Sequence, residues 1–256
     1  MPARRQHHLS TPYLSIIIPT WNGGAQLKAT LHHLQKFRSE LPHSTEIIVV
    51  DDCSEEATVQ VMECFARNND DVTVLRNETN RGKGHAVARG MLHAQGELRI
   101  FVDSDLAYPS DQICRVLRAL KSGNDVVVAC RVLPESRYVM SPTFFHYLYT
   151  RHLMSRVFNR LTQAVLLPGI LDTQAGLKGF TADAAKTIFS RQRLSGFGFD
   201  LECLYIARTH QLEIEQIAVD FHYQDEPSTI SFFRHGVEMV GDLIRVRRNG
   251  ARGRYA

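Results

Sequence analysis

The chain has 256 residues, of which 44% are hydrophobic and 22% charged, and its formal net charge is +3. That length holds one sizeable α/β core, the balance is that of a globular domain, and so small a charge excludes a nucleic-acid binder held by overall basicity. Five cysteines, odd in number and without CxxC spacing, exclude a disulfide framework or zinc site and fit a reducing cytoplasm.

In chain order, 1–12 lack an apolar signal core and read as a flexible N-terminus. Residues 13–19 (YLSIIIP) form the first predicted strand. A helix follows over 24–40, with Leu27, Leu31 and Leu34 at helical spacing, and then a strand over 46–51 (EIIVVD). Ser54 is placed to cap a helix carrying Val59, Met62, Cys64 and Phe65. A short strand at 72–75 leads into Asn80-Arg81-Gly82-Lys83-Gly84 and a helix reaching about residue 95. Strand 98–102, helix 110–121 and strand 125–131 continue the alternation. The 142–162 stretch is a helical pattern rich in aromatics (Phe144, Phe145, Tyr147, Tyr149, Phe158). Residues 172–180 (DTQAGLKGF) read as a turn and short strand, with helices near 182–189 and 199–209. Residues 214–223 alternate as one strand, 231–248 form an amphipathic helix, and 249–256 are expected to be a basic C-terminal tail. No apolar run approaches the roughly 20 residues of a membrane-spanning helix, so the expected setting is cytoplasmic or peripheral on the cytoplasmic face of a membrane.

This alternation predicts one α/β domain over 13–248 with a mainly parallel sheet, and in such sheets ligands bind at the carboxyl edge. Polar residues collect at that edge. Asp103 and Asp105 lie one residue apart after a strand; they either hold a hard cation together or form an Asx-turn. In Pro19-Thr20-Trp21-Asn22-Gly23-Gly24 the indole either stacks on a base or packs the loop. Asp51 and Asp52 either accept from a base imide or ribose hydroxyl, or cap the next helix. Gly82-Lys83-Gly84 places backbone N–H groups and one ammonium near phosphate, but completes neither a Walker loop nor GxGxxG, since Val87 takes the last glycine position.

In their order PTWN, VVDDCS, NRGKG and VDSDLAYP, followed by DTQAGLKGF and FGFDLECLYIA, the motifs resemble those of family-2 glycosyltransferases of the GT-A fold. Within them the chain is similar to the polyprenyl-phosphate transferases, namely dolichyl-phosphate β-glucosyltransferases and dolichyl-phosphate mannose synthases, over roughly 14–248. The resemblance implies an inverting transfer of a hexose, glucose from UDP-glucose ahead of GDP-mannose, onto a polyprenyl or dolichyl phosphate at a membrane surface. It assigns Pro19, Trp21, Asn22 and Asp51 to the base, Asp52 to the ribose, and Lys83 and Ser104 to the remainder of the donor. Asp103 and Asp105 would approach the ribose and hold Mg²⁺ or Mn²⁺ on the donor pyrophosphate. Asp172, Gln174 and Lys178 would line the sugar, and Arg131, Arg137, Arg151 and Ser155 would hold the acceptor phosphate. Asp200 belongs to the catalytic architecture. A phosphate acceptor is already ionised and needs no strong base; a hydroxyl acceptor, the alternative, would need Asp200 or Glu202 as base. A non-catalytic sugar-nucleotide-binding module is a third reading. The chain departs from the family pattern at Gly23 (often Glu), Cys53 (the Gly of DDGS) and Ala107 (a Gln in mannose synthases). The aromatic helix either lies in a membrane interface or packs its aromatics as core with Arg151, Arg156 and Arg160 on a solvated face, and the terminal cluster Arg245, Arg247, Arg248, Arg252 and Arg254 is expected to add attraction to anionic lipid.

Overall fold

The runs LSIIIPT, TEIIVVD and VVVAC are rich in β-branched residues, which favours extended chain buried on both faces. The computed structural model describes residues 11–105, 107–139, 145–222 and 232–256, without the side chains of 25, 56, 145–154 and 232–235. There these runs form β1 (Leu14–Thr20), β2 (Thr45–Asp51) and β5 (Val126–Cys130) of a seven-stranded sheet. With β3 (Val72–Arg76), β4 (Leu98–Val102), β7 (Leu177–Thr181) and β8 (Ile214–Ala218), the order is β3-β2-β1-β4-β7-β5-β8. Neighbours are parallel except at β7, which runs antiparallel to β4 and β5. A separate parallel pair joins β6 (Arg137–Val139) to β9 (Asp220–His222).

Helices cover both faces. On one, α1 (Gly24–Glu40), α2 (Glu56–Arg67) and α4 (Ser110–Lys121) bury Leu27, Leu31, Met62, Val116 and Leu120 against Ile16 and Ile18. On the other, α3 (Lys83–His93), α6 (Ala182–Phe189), α7 (Phe199–Thr209) and α8 (Phe232–Ala251) bury Met91, Ile188, Leu204 and Val246 in a core with Ile17, Val50 and Phe101. The long helix α5 (Phe145–Val165) touches α8.

Three sequence expectations change. The strand expected over 214–223 breaks at buried Val219, whose N–H donates to Ser136 Oγ and whose carbonyl accepts from Arg137; β8 stays in the main sheet while β9 pairs with β6, a strand too short for its pattern to register. Ser54 does not cap α2. Its hydroxyl accepts the Asn22 N–H instead, and Asn22 Oδ1 takes the Glu55 N–H at the helix start. The segment read as a tail is packed: α8 runs to Ala251, and Tyr255 is buried with its hydroxyl donating to Glu202 at 2.6 Å.

The sheet opens where its order reverses. Pairing of β1 with β4 ends at Ile17–Phe101, while pairing with β2 continues to Thr20–Asp51. Pro19, which has no N–H to give, occupies the stretch already parted from β4. The crevice at the carboxyl ends of β1, β2 and β4 is therefore the ligand position of a doubly wound sheet.

Candidate functional site

Loops from several strand ends meet at this crevice and hold one another. Asn22 adopts a left-handed backbone (φ 53°) and ties the first loop to α2 through the two bonds just given. Beside it Trp21 is 53% exposed, so the indole stands outside the buried core. Asp51 is fully buried; it accepts the Ser54 N–H at 3.1 Å, and Arg76 Nε lies 3.3 Å away.

Asp52 is buried as well, under three donors: Asn77 Nδ2 at 2.7 Å, the Arg81 N–H at 2.9 Å and the Gly82 N–H at 2.6 Å. Its carboxylate shapes the NRGKG loop. Gly82 has φ 94°, and a Cβ there would stand 2.5 Å from the Ser195 carbonyl oxygen. That loop sets Lys83 as the first residue of α3, with Nζ 2.6 Å from Asp103 Oδ1. Burial alone would lower the Lys83 pKa, but the Asp103, Asp200 and Asp105 carboxylates outweigh it and hold the ammonium above its ordinary range.

Asp103 and Asp105 share the loop after β4, which Thr30 of α1 braces by donating to the Ser104 carbonyl at 2.6 Å. Asp105 Oδ1 accepts the Ala107 N–H at 3.0 Å, the Asx-turn geometry. Burial, then the neighbouring Asp103 charge, push the Asp105 carboxyl above its usual range. The Lys83 ammonium, 2.6 Å from Asp103 Oδ1, is the one cation paired directly with these two carboxylates among the described residues. Two crowded carboxylates with incompletely compensated charge suit a hard cation. Among the described residues no three His, Cys, Asp or Glu side chains converge. The chain would thus supply two carboxylate ligands and leave the other positions to phosphate and water, a common arrangement for Mg²⁺.

The DTQAGLK segment borders the same crevice. The Asp103 N–H donates to the Gly176 carbonyl at 3.0 Å, and a Cβ on residue 176 would fall inside the Asp103 carboxyl group. Only glycine fits. Lys178, expected at the sugar, is fully buried instead, giving hydrogen bonds to the Ala175 carbonyl (2.7 Å) and to Asp200. Asp172 and Arg131, expected at the sugar and at the acceptor phosphate, hold each other through Nε at 2.7 Å and Nη2 at 3.0 Å. Burial would raise the Asp172 carboxyl, but the Arg131 guanidinium holds it below the usual range. Buried charges need partners, and these four found each other. Gln174 is half-buried, with its amide on Thr173 Oγ1.

Glu202 is fully buried, accepting the Arg193 and Leu194 N–H groups and the Tyr255 hydroxyl; it cannot reach a substrate proton. Arg137 is exposed on β6, and half-buried Ser155 lies one turn before Asn159 on α5. Asn159 Oδ1 in turn accepts from Thr173, joining α5 to the DTQ turn. Arg151 is one turn earlier again on that face, but its side chain lies outside the described residues, as do Phe144 and the side chains of Phe145, Tyr147 and Tyr149. Sequence reasoning missed Asn77, Asn159 and Tyr108. The first two are single amides without a motif. Tyr108 stands inside VDSDLAYP; its hydroxyl is buried, has no partner among the described residues, and is pushed far up in pKa by burial.

The open, mainly parallel sheet with acidic and basic groups gathered at its switch point defines a GT-A-type, nucleotide-sugar-dependent glycosyltransferase. The chain belongs to glycosyltransferase family 2: the family model described as Glycosyl transferase family 2 matches residues 15–189. It is 31% identical over 244 residues to the dolichyl-phosphate β-glucosyltransferase of Dictyostelium discoideum, covering 92% of this chain and 74% of that protein. Identity to the Homo sapiens dolichyl-phosphate β-glucosyltransferase is 31% over 250 residues, covering 93% and 75%. The fold is similar to that of glucosyl-3-phosphoglycerate synthase from Mycobacterium tuberculosis, solved with Mn²⁺, UDP-glucose and phosphoglyceric acid (TM-score 0.69, 15% identity, 92% of this chain and 80% of that one).

Proposed function

We propose that this enzyme transfers glucose from UDP-glucose to a dolichyl-type polyprenyl phosphate, with inversion at the anomeric carbon. The observation that carries the reading is the grouping of Asp103, Asp105, Lys83 and Asp200 at the point where strand order reverses. The names of the relatives that match most of the chain support the lipid phosphate and the glucose. UDP-glucose and Mn²⁺ are supported by glucosyl-3-phosphoglycerate synthase, which shares the fold and was solved with both.

In this reading Trp21 stacks on the uracil and Asp51 accepts its imide proton, while Lys83 neutralises the diphosphate. A Mg²⁺ or Mn²⁺ held by Asp103 and Asp105 would offset the charge that develops on the leaving nucleoside diphosphate. Arg137, Arg151 and Ser155 hold the acceptor phosphate, a task for which the planar guanidinium is suited. Arg131, Asp172, Lys178 and Asp52 act one step back, as positioning residues. A phosphate attacks without prior deprotonation, so catalysis reduces to orientation and charge placement. A hydroxyl acceptor would need a base, yet Asp200 is paired with Lys178 and Glu202 is enclosed by donors. The enzyme works peripherally at an anionic membrane; no described helix is long and apolar enough to cross one.

The test is to offer labelled UDP-glucose, UDP-N-acetylglucosamine and GDP-mannose, each with and without polyprenyl phosphate and Mn²⁺. Label should enter the organic phase from UDP-glucose alone and only with the lipid phosphate, as a β-linked product by NMR. Equal transfer to a water-soluble hydroxyl acceptor would overturn the proposal.

A further inference from the structure

The last helix carries a surface that none of the described residues covers. One face of α8 is core: Leu243, Val246 and Asn249 are buried at a spacing of three. The opposite face repeats at three and four and is apolar, with Val237 65%, Val240 40% and Ile244 61% exposed. The same line continues into Arg247 and Arg248, both exposed, and on to Ala251. Exposed Arg245, Arg252 and Arg254 add to the charge at this end. The acidic residues of the helix stand off the line. Glu238 is about 100° round from Val237, and Asp242 faces inward and pairs with Arg245 at 3.2 Å. On α5, the helix that α8 touches, Val157 and Leu161 are exposed one turn apart, with exposed Arg156 and Arg160 beside them.

We infer that the outer face of α8 is a lipid-docking surface, lying in the plane of an anionic bilayer with Val237, Val240 and Ile244 among the acyl chains and Arg247 and Arg248 at the phosphates. Helices that bind this way join an apolar face to arginines, whose stems reach along apolar surface while the heads stay polar. Charge selects lipid over a second copy of the chain. A twofold contact would lay Arg247 and Arg248 against themselves or against the valines, with no carboxylate in line, whereas lipid phosphates supply the missing countercharge. The inference deepens the lipid-phosphate reading by naming the face that meets the membrane holding the acceptor.

The experiment is co-sedimentation of the full chain with phosphatidylcholine vesicles, with and without phosphatidylserine, beside sedimentation velocity without lipid. Binding should require phosphatidylserine and weaken with salt. Arg247→Gln/Arg248→Gln should weaken it about fivefold per charge, and Val240→Ser/Ile244→Ser by tenfold or more. Both variants should keep wild-type melting temperatures and normal transfer to a short-chain, water-soluble polyprenyl phosphate. Binding unchanged in both variants, or a concentration-dependent dimer of the wild type that Val240→Ser/Ile244→Ser dissociates, overturns the inference. Vesicle binding without transfer to any polyprenyl phosphate would refute the proposed function and leave the docking face standing.

Discussion

Replacing Gly176 by alanine probes the site through one methyl group. The β4–β7 ladder ends at Val102–Leu177, so Gly176 and Asp103 are the next residues along, and the Asp103 N–H still donates to the Gly176 carbonyl at 3.0 Å. The backbones are thus pinned together. An added Cβ would be 3.1 Å from Asp103 Oδ1 and would overlap Cγ and Oδ2. Ordinary contact is regained only if the carboxylate moves by about an ångström, and a misplacement of that size lowers catalysis by roughly 100-fold, or about 2.7 kcal/mol of transition-state stabilisation. Overpacking adds about 1–3 kcal/mol of lost stability, a fall in Tm of about 2–12 °C for a chain of this length. Steady-state kinetics with the nucleotide sugar varied, paired with thermal melts, measure both. Gly196→Ala is the control, because a Cβ there meets nothing within 4 Å; its kcat/KM should stay within about threefold of wild type. The reasoning is wrong if Gly176→Ala matches that control.

Cys53 holds φ 64°, a conformation glycine adopts without strain, so Cys53→Gly should raise the unfolding free energy measured in urea by up to about 1 kcal/mol; a lower value would contradict this. Lys178→Met strands the Asp200 carboxylate in the core and should cost about 3–5 kcal/mol in denaturant melts. Adding Asp200→Leu should recover most of that loss, and no recovery would mean the two charges are not coupled. Asp105 has a folded-state pKa raised above 3.8 by burial and Asp103, so the folded protein holds this proton more tightly than the unfolded one and loses stability as pH rises through that window. Asp105→Asn should therefore melt higher than wild type at neutral pH while losing transfer, with the gap in Tm closing as pH falls toward 4. A pH-independent gap would refute the assignment.

The sheet was legible because its central strands are short apolar runs rich in β-branched residues, and β4 (Leu98–Val102), α4 (Ser110–Lys121) and α7 (Phe199–Thr209) lie where periodicity placed them. What escaped was whatever long-range pairing decides. The short strand at Arg137 exists because Asp220 to His222 lies alongside it, and Tyr255 is ordered because Glu202, 53 residues earlier, needs a donor. The site divides in the same way. The motifs pointed to the carboxyl edge of the sheet, since charged residues after successive strands converge there in any doubly wound sheet. They could not say which charges answer one another. Asp52, Asp172, Lys178 and Arg131 carry the same letters whether they face a ligand or a partner, and here they face partners.

That division gives the DTQAGLK segment a physical meaning. Asp172 reaches Arg131 at the end of β5, Thr173 reaches Asn159 on α5, Gly176 admits the Asp103 carboxyl beside β4, and Lys178 reaches Asp200 on α7. Seven residues thus tie four elements around one carboxylate, with their own charges neutralised inside the protein. In the proposed reading the charges that meet the ligand are Asp103, Asp105 and Lys83, held after β4 and at the start of α3 with Lys83 and Asp103 paired at 2.6 Å. The proposed catalysis, by placing charge rather than by moving protons, needs this arrangement, because preorganised groups stabilise developing charge only as well as their neighbours hold them still.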